Sequence, residues 1–152
     1  MNVWDDVKST QQNLDVEIQG GKKSKLIVRR EDVELRKNDR RGNLSSMIIT
    51  AGKGFHIQTM DCRMSELPPG RNTNTHRHRS EALIHFLQGR GHSLMDGQRI
   101  DWKAGDTLFI PSWVWHNFCN DDPEQPVRYL AITNRPLLYG LGVEGEEKQK
   151  ND

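Results

Sequence analysis

Residues 76–118 have the sequence HRHRSEALIHFLQGRGHSLMDGQRIDWKAGDTLFIPSWVWHNF. The stretch contains three short segments rich in β-branched or aromatic residues, at 82–87, 92–95 and 107–110, and this composition is typical of strands. Glycine turns separate these segments, and Asp96-Gly97 is a favoured two-residue hairpin turn. Short strands at this spacing, with no long helical period between them, predict an antiparallel sandwich or barrel.

The same pattern continues on both sides of this stretch. Residues 46–50, 54–60 and 127–132 are also strand-like, and 152 residues is about the size of one ordinary domain. We therefore expect an all-β chain with one antiparallel barrel over residues 46–140. A polar N-terminal arm and a leading strand, residues 1–45, would pack on this barrel, and residues 141–152 would form a flexible tail, because they are charged and lack large apolar residues after Val143.

Composition and charge exclude several classes of protein. Lys and Arg total 22 against 21 Asp and Glu, so nothing in the whole-chain charge suggests nucleic acid or an acidic membrane as a partner. No apolar run approaches the roughly 18 to 20 residues needed to span a bilayer, and the first residues lack the features of a secretory signal. The two cysteines, Cys62 and Cys119, are too few for a disulfide framework. We expect a soluble cytoplasmic protein with free thiols.

Three of the six histidines are spaced as metal ligands. If His76 and His78 lie on a strand, both imidazoles point to one face, about 7 Å apart along the chain. His116 follows the segment 107–110 and could reach the same point from another strand. A bare His-x-His pair is weak evidence, because flanking arginines such as Arg77 are equally typical of a solvated basic face. Three neutral imidazoles suit iron, zinc, copper or nickel and leave coordination positions free for substrate or dioxygen.

The frame around these histidines is more specific than the pair. The chain has Gly70-x5-His76-x-His78 followed by Gly89, and then Gly105-x5-Pro111-x4-His116-x3-Asn120. This arrangement resembles the two sequence motifs of the cupin superfamily, whose members are antiparallel, jelly-roll-like barrels (double-stranded β-helices) that hold a metal inside one end. The resemblance implies a cupin barrel with His76, His78 and His116 as metal ligands.

The chain differs from the usual cupin pattern at the position of a fourth ligand. Many cupins place a glutamate seven residues before the closing glycine of the first motif, and here that residue is Ala82. Glu81 comes one residue earlier, and on a strand an offset of one residue turns a side chain to the opposite face unless a bulge intervenes. We therefore expect a three-histidine site.

Residues 76–91 and 111–118 are also similar to the gentisate and salicylate ring-cleaving dioxygenases, cupins that use three histidines and ferrous iron and are usually two-barrel proteins of about twice this length. The matching residues are Arg77, Ala82, Leu83, Trp113 and Trp115. Two positions differ. Ile84 stands where that family has an arginine for the substrate carboxylate, and Phe118 stands where it has a histidine. The resemblance implies iron(II) and leaves the substrate open.

Strand alternation identifies candidate substrate-binding residues. Ile84 and Phe86 lie on the same strand face as the metal ligands and could line an apolar pocket, although both also fit ordinary barrel core. Phe118 could form a wall against a flat organic substrate. Arg71 precedes the metal strand and could supply charge to an acidic substrate, or be a surface arginine.

Two further residues are candidates for catalysis. His56 and Gln58 share one face of the expected strand 54–60. If that face points into the barrel, they could contact the substrate or transfer protons. As exposed polar residues they need no function.

Together these features favour an iron(II) dioxygenase that cleaves a carbon-carbon bond of a small hydroxylated aromatic or enolisable substrate. Zinc, nickel, manganese and copper are alternative metals. The alternatives in function are a metal-assisted isomerase or lyase on the same scaffold, and a non-catalytic small-molecule-binding cupin. The expected partners are a small-molecule substrate and dioxygen, with a homodimer as the assembly and neither nucleic acid nor membrane.

Overall fold

The computed structural model describes residues 23–149, and in this part of the chain nearly all regular structure is β-strand. The strands are β1 Arg36–Asn38, β2 Asn43–Ile49, β3 Asp61–Leu67, β4 His76–His78, β5 Ala82–Gln88, β6 Arg90–Met95, β7 Gln98–Lys103, β8 Thr107–Ile110, β9 Cys119–Asn120, β10 Val127–Thr133 and β11 Glu146–Lys148. Helix α1, Arg135–Gly140, follows β10, and two 3-10 turns cover Arg30–Asp32 and Ala51–Lys53. The expected all-β class is confirmed.

All strand pairs are antiparallel, and they form three sheets. The largest has the order β1-β2-β3-β10-β5-β8, a second has the order β7-β6-β9, and the third pairs β11 with β4. β10 lies at the centre of the largest sheet, where it pairs with β3 on one side and β5 on the other. This arrangement is the jelly-roll barrel that the two motifs imply.

The core packs on the inward faces of the adjacent strands β5 and β10 and includes Trp102 of β7 in the opposite sheet. Every second residue of β10, from Val127 to Thr133, is buried, as strand geometry requires. Phe86 is fully buried and stacks on Trp102, with ring centroids 3.8 Å apart and an interplanar angle of 9°. The ring of Phe118 lies 6.4 Å from that of Phe86 and 6.0 Å from that of His116. The rings of Trp102, Phe86 and Phe118 therefore form a continuous aromatic core that reaches His116.

The prediction of a strand at residues 54–60 is wrong. A 3-10 turn at Ala51–Lys53 and Gly54, whose φ is +83°, change the chain direction, and the strand β3 begins only at Asp61. Apolar and polar side chains alternate in part of GFHIQTM as they do in a strand, although this segment forms a loop. The true strand lacks that signal because its inward positions include Arg63 and Ser65, which are polar.

The chain ends differ from expectation in part. The first 22 residues of the expected arm lie outside the described residues, and the expected barrel boundary at residue 46 falls inside β2. Residues 146–148, expected in a flexible tail, form strand β11 and pair with β4. A buried ion pair between Glu146 and Arg41 holds this strand against the barrel. Among residues 23–149, no helix combines the length and apolar character needed to cross a membrane.

Gly91 tests the packing between β6, β7 and β9. A methyl group at this position would overlap the carbonyl oxygen of Cys119 and lie 2.6 Å from the ring of Trp102. We expect Gly91→Ala to lower the free energy of unfolding by about 3 kcal/mol or more, since a tightly packed interior resists added volume. Chemical denaturation measures this change. Gly52→Ala is the control, because nothing lies within 4 Å of its added methyl group, and equal stabilities of the two variants would contradict the packing.

Candidate metal centre

Three histidines from two separate segments meet inside one end of the barrel. β4 carries His76 and His78, and His116 lies in the loop that follows β8. Their potential ligand atoms all lie within 4.8 Å of one another, and the three residues are 3%, 4% and 2% exposed. The two segments are joined by main-chain hydrogen bonds, since the N–H of His76 donates to the carbonyl of His116 at 3.0 Å and the reverse bond is 2.9 Å long.

The hydrogen bonds of the rings determine which nitrogen faces the centre. Each ring Nδ1 lies close to a main-chain carbonyl oxygen two residues away in the chain. The pairs are His76 with Asn74 (2.8 Å), His78 with Ser80 (2.6 Å) and His116 with Val114 (2.9 Å). A carbonyl oxygen can only accept, so Nδ1 carries the proton and donates it, which leaves the lone pair on Nε2. Metal-binding histidines are typically held in this way.

Burial also keeps the three rings neutral. Loss of hydration lowers the pKa of His76 to about 2, with repulsion from His116 and Arg41 adding to the effect. For the same main reason the pKa values of His78 and His116 fall to about 4. At neutral pH each ring is therefore a neutral imidazole with an unprotonated Nε2, the form that binds transition metals.

The position of the usual fourth cupin ligand holds no donor. Ala82 is buried and lines the cavity. Glu81 is exposed, and its carboxylate accepts a hydrogen bond from the Asn134 side chain at 3.0 Å. The alternation along β5 thus turns Glu81 outward as expected. Within the described part of the chain, the cluster at this centre consists of three histidines and no carboxylate.

The histidines line a narrow cavity together with apolar and charged side chains. The apolar lining includes Ile84, Ile110, Phe118 and Ala131, and the charged lining consists of Arg41, Arg63 and Arg135. The free volume is about 20 Å³, roughly the space that one water molecule requires. An ion fits this space, whereas an organic ligand must displace side chains to enter.

The predicted substrate-binding residues separate into two groups. Ile84 and Phe118 line the cavity, as alternation predicts. Phe86 packs beneath the cavity against Trp102 and belongs to the core. Arg71 is exposed and does not line the cavity, because the loop before β4 runs along the surface, and its role in substrate binding stays a prediction.

The predicted catalytic residues are not at the centre. His56 and Gln58 are both exposed and follow the 3-10 turn in the loop before β3. Their inward orientation was inferred from a strand that the chain does not form. Neither residue lines the histidine cavity.

Sequence reasoning missed a buried ion pair beside the centre. The guanidinium of Arg41 donates to both carboxylate oxygens of Glu146, at 2.7 and 3.0 Å, and the two side chains are 5% and 8% exposed. Burial alone would raise the pKa of Glu146, but the hydrogen bond and charge of Arg41, aided by Arg40 and Arg135, lower it below its ordinary value. The partners are 105 residues apart in the chain, so no local pattern could have revealed them.

Tyr129 is a second missed residue. Its position on the inward face of β10 was predictable from alternation, once that strand was placed. Tyr129 lines the cavity, and its hydroxyl accepts a hydrogen bond from the Asn43 side chain at 2.9 Å. Burial raises the pKa of Tyr129, so the phenol keeps its proton at neutral pH.

Comparison with known proteins agrees with this geometry. Residues 63–133 match the family described as "Cupin domain". This part of the chain is a cupin domain. The 5-aminosalicylate 1,2-dioxygenase of Comamonas sp is 32% identical to this chain over 95 residues, 62% of its length. The 1-hydroxy-2-naphthoate 1,2-dioxygenase of Nocardioides sp. (strain KP7) is 30% identical over 96 residues, 63% of this chain. Each match covers 25% of the relative, so the cupin spans about a quarter of their length.

A solved structure supports the fold. A point mutant of the salicylate 1,2-dioxygenase of Pseudoaminobacter salicylatoxidans, in a complex with gentisate, superposes with a TM-score of 0.65 at 19% identity. The superposition covers 72% of this chain and 30% of that chain. The resemblance to gentisate and salicylate dioxygenases inferred from the two motifs is confirmed at the level of sequence similarity and fold.

The buried ion pair predicts a large stability difference between two adjacent glutamates. Glu146→Gln leaves the Arg41 charge buried without a carboxylate, and we expect it to lower the free energy of unfolding by about 3 to 5 kcal/mol. Glu147→Gln is the matched control. Its carboxylate pairs with the partly exposed Arg77, and such pairs contribute about 1 kcal/mol or less. Similar losses in chemical denaturation of the two variants would contradict the buried pair.

The lowered histidine pKa values predict that acid destabilises the metal-free protein. The three pKa values in the folded state lie below the ordinary value of 6.5, so the unfolded chain binds more protons. Stability is therefore complete above pH 6.5 and declines as the pH falls below it, by up to about 1.4 kcal/mol per pH unit for each histidine. Urea unfolding of chelator-treated protein between pH 7.5 and 5 measures the slope. His78→Gln should show a shallower slope, and an unchanged slope would contradict the assignment.

Proposed function

We propose that this cupin is an iron(II) dioxygenase that cleaves a carbon-carbon bond of a small hydroxylated aromatic or enolisable substrate. The observation that carries the proposal is the set of three neutral imidazoles, each with Nε2 free, around a cavity where Ala82 replaces a fourth ligand. A three-histidine set leaves more than one coordination position for reactants.

The residues present fit such a metal. Imidazole nitrogen suits iron(II) as well as zinc, nickel and copper, and cellular supply selects among them. His76, His78 and His116 would hold the ion. Iron(II), when bound, would supply coordination positions for substrate oxygen and dioxygen and the redox change that lets them react.

The other cavity residues would bind and orient the substrate. Ile84, Ile110 and Phe118 form an apolar wall that excludes water and suits a flat ring. Tyr129 holds a proton on its Oη, which accepts from Asn43 and can donate to a substrate oxygen. This hydroxyl is a better candidate for proton donation than His56 or Gln58, since it lies in the cavity lining and they do not.

The relatives support an aromatic hydroxy acid as the substrate class. Two of them are named for the dioxygenation of 5-aminosalicylate and of 1-hydroxy-2-naphthoate. The cupin has isoleucine where the related ring-cleaving enzymes carry an arginine for the carboxylate, so substrate orientation must differ in detail. The homodimer and the cytoplasmic location stay predictions from the sequence.

Metal analysis and oxygen uptake test the proposed function. Protein purified without added metal is analysed for iron, reconstituted anaerobically with iron(II), and then exposed to oxygen with a series of hydroxylated aromatic acids. We expect oxygen uptake with at least one acid and loss of its ring absorbance. Turnover that continues under strict exclusion of oxygen would instead indicate an isomerase or lyase, and binding with no turnover of any substrate would indicate a non-catalytic cupin.

His116 provides the mutational test. We expect His116→Ala to lose stoichiometric iron and oxygen uptake, because two imidazoles from one strand form too small a ligand set. His85→Ala is the matched control, since His85 lies on the outward face of β5, where its ring contacts the Thr107 hydroxyl at 2.9 Å. Iron content by elemental analysis should be unchanged in the control. Full iron content in folded His116→Ala protein would rule out the three-histidine centre.

A further inference from the structure

The cavity beside the histidines contains more positive charge than the protein neutralises. Arg41, Arg63 and Arg135 all line it. Glu146 contacts two of them, with both carboxylate oxygens on Arg41 and one at 3.8 Å from Arg135. The three imidazoles and the Tyr129 phenol are neutral at pH 7. Because arginine stays protonated in proteins, the cavity keeps an excess of positive charge.

Arg63 is the least compensated of these cations. Its Nε is buried and has no hydrogen-bond partner, and the Nε of Arg135 is in the same state. No carboxylate within residues 23–149 lies within the 4.0 Å ion-pair distance of Arg63, in contrast to Arg41 and Arg135. Burial lowers the pKa of Arg63 as it does that of Arg41, because the charged guanidinium loses water of hydration inside the barrel.

A buried guanidinium without a partner weakens the fold. Removal of a charge from water is unfavourable unless a counter-charge or hydrogen bonds replace the lost hydration. In the described residues, the buried Nε of Arg63 donates to no acceptor, and the carboxylates of Asp61 and Glu146 act on its charge only from beyond ion-pair distance. A ligand carboxylate would supply both a counter-charge and an acceptor, since the planar guanidinium matches the two oxygens of a carboxylate.

The strand register places Arg63 in the same inward-facing row of residues as Ile84. Arg63 on β3 pairs with Ala131 on β10, and Ala131 pairs with Ile84 on β5. The three residues thus form one inward-facing row across the sheet. Ile84 stands where the related family has its carboxylate-binding arginine. In this chain a guanidinium lies in the same row two strands away, about 10 Å distant at ordinary strand spacing, and only the small Ala131 side chain stands between them in the row.

We propose that Arg63, assisted by Arg135, binds the carboxylate of the substrate, so that the ligand lies turned toward β3 relative to its position in the related enzymes. This assignment rests on the proposed function of the histidine site and specifies its substrate as an organic carboxylate. Ile84 then contacts the ring, and the unsatisfied Nε atoms of the two arginines become donors to the ligand.

Paired neutral and anionic probes test the assignment without turnover. Acetate, benzoate and 2-hydroxybenzoate are compared with their carboxamides by anaerobic titration calorimetry of the metal-loaded protein, at constant ionic strength. We expect the wild type to bind at least one carboxylate more tightly than its amide by tenfold or more. Arg63→Met should weaken that carboxylate by about 10- to 100-fold, as loss of a charge-assisted hydrogen bond predicts, and leave the amide unchanged.

Arg90→Met is the matched control, since this arginine lies on β6 with its side chain 68% exposed. It should bind both probes as the wild type does. Ligand-free stability separates binding from a structural role. Arg63→Met should unfold at the same or higher denaturant concentration than the wild type, because the substitution removes an uncompensated charge. A structural arginine would instead lower the stability.

Three results would overturn the assignment. In the first, the wild type binds no carboxylate better than its amide. In the second, the Arg63→Met variant binds the carboxylate as well as Arg90→Met does. In the third, the Arg63→Met variant loses affinity for both probes equally. These outcomes are independent of the oxygenase proposal. Carboxylate selectivity without oxygen uptake would retain the subsite and reject the dioxygenase, and oxygen uptake without carboxylate selectivity would do the reverse.

Discussion

The main-chain pairing of His76 with His116 is the constraint on which the metal centre depends. β4 has only three residues, and the segment around His116 is a loop, so neither would hold its ligands alone. Two N–H···O bonds join the histidines directly, and the N–H of Trp113 donates to the carbonyl of His78 at 2.8 Å. The ligands are thus brought together by the polypeptide itself, which preorganises the site before any ion enters.

Side chains on the outer surface reinforce this pairing. The guanidinium of Arg77 lies between the rings of Trp113 and Trp115, 4.6 and 4.5 Å from their centroids, and pairs with Glu147 on β11. One arginine therefore connects β4, the loop of the third ligand and the C-terminal strand. The matches to the ring-cleaving dioxygenases at Arg77 and the two tryptophans belong to this support of the ligands.

The sequence predicted most of the barrel because its buried faces are apolar. β5, β8 and β10 lie within one residue of the expected segments, and their alternation placed Ile84 correctly. β3 was misplaced because a strand that lines a charged cavity does not show apolar alternation. Its inward arginine and serine resemble the exposed face of an ordinary strand, so the pattern failed where the binding site begins.

The histidine cluster was predictable for a different reason. Its members are set by short spacings within two motifs, whereas the arginines of the cavity come from β3 and from segments near both ends of the described chain. Arg41 and Glu146 meet only because β11 returns to β4. Charged residues at the two ends of a sequence look solvated, and only the closed barrel shows that these two are buried.

The acceptors of the three Nδ1 protons are all main-chain carbonyls, those of Asn74, Ser80 and Val114. No side-chain substitution at these three positions removes the oxygen that orients its ring. Divergence at the residues flanking the ligands can therefore alter the shape and polarity of the barrel mouth while the imidazole tautomers persist. Because the ring orientation does not depend on these side chains, one metal-binding scaffold can acquire new substrates through changes in its cavity lining alone.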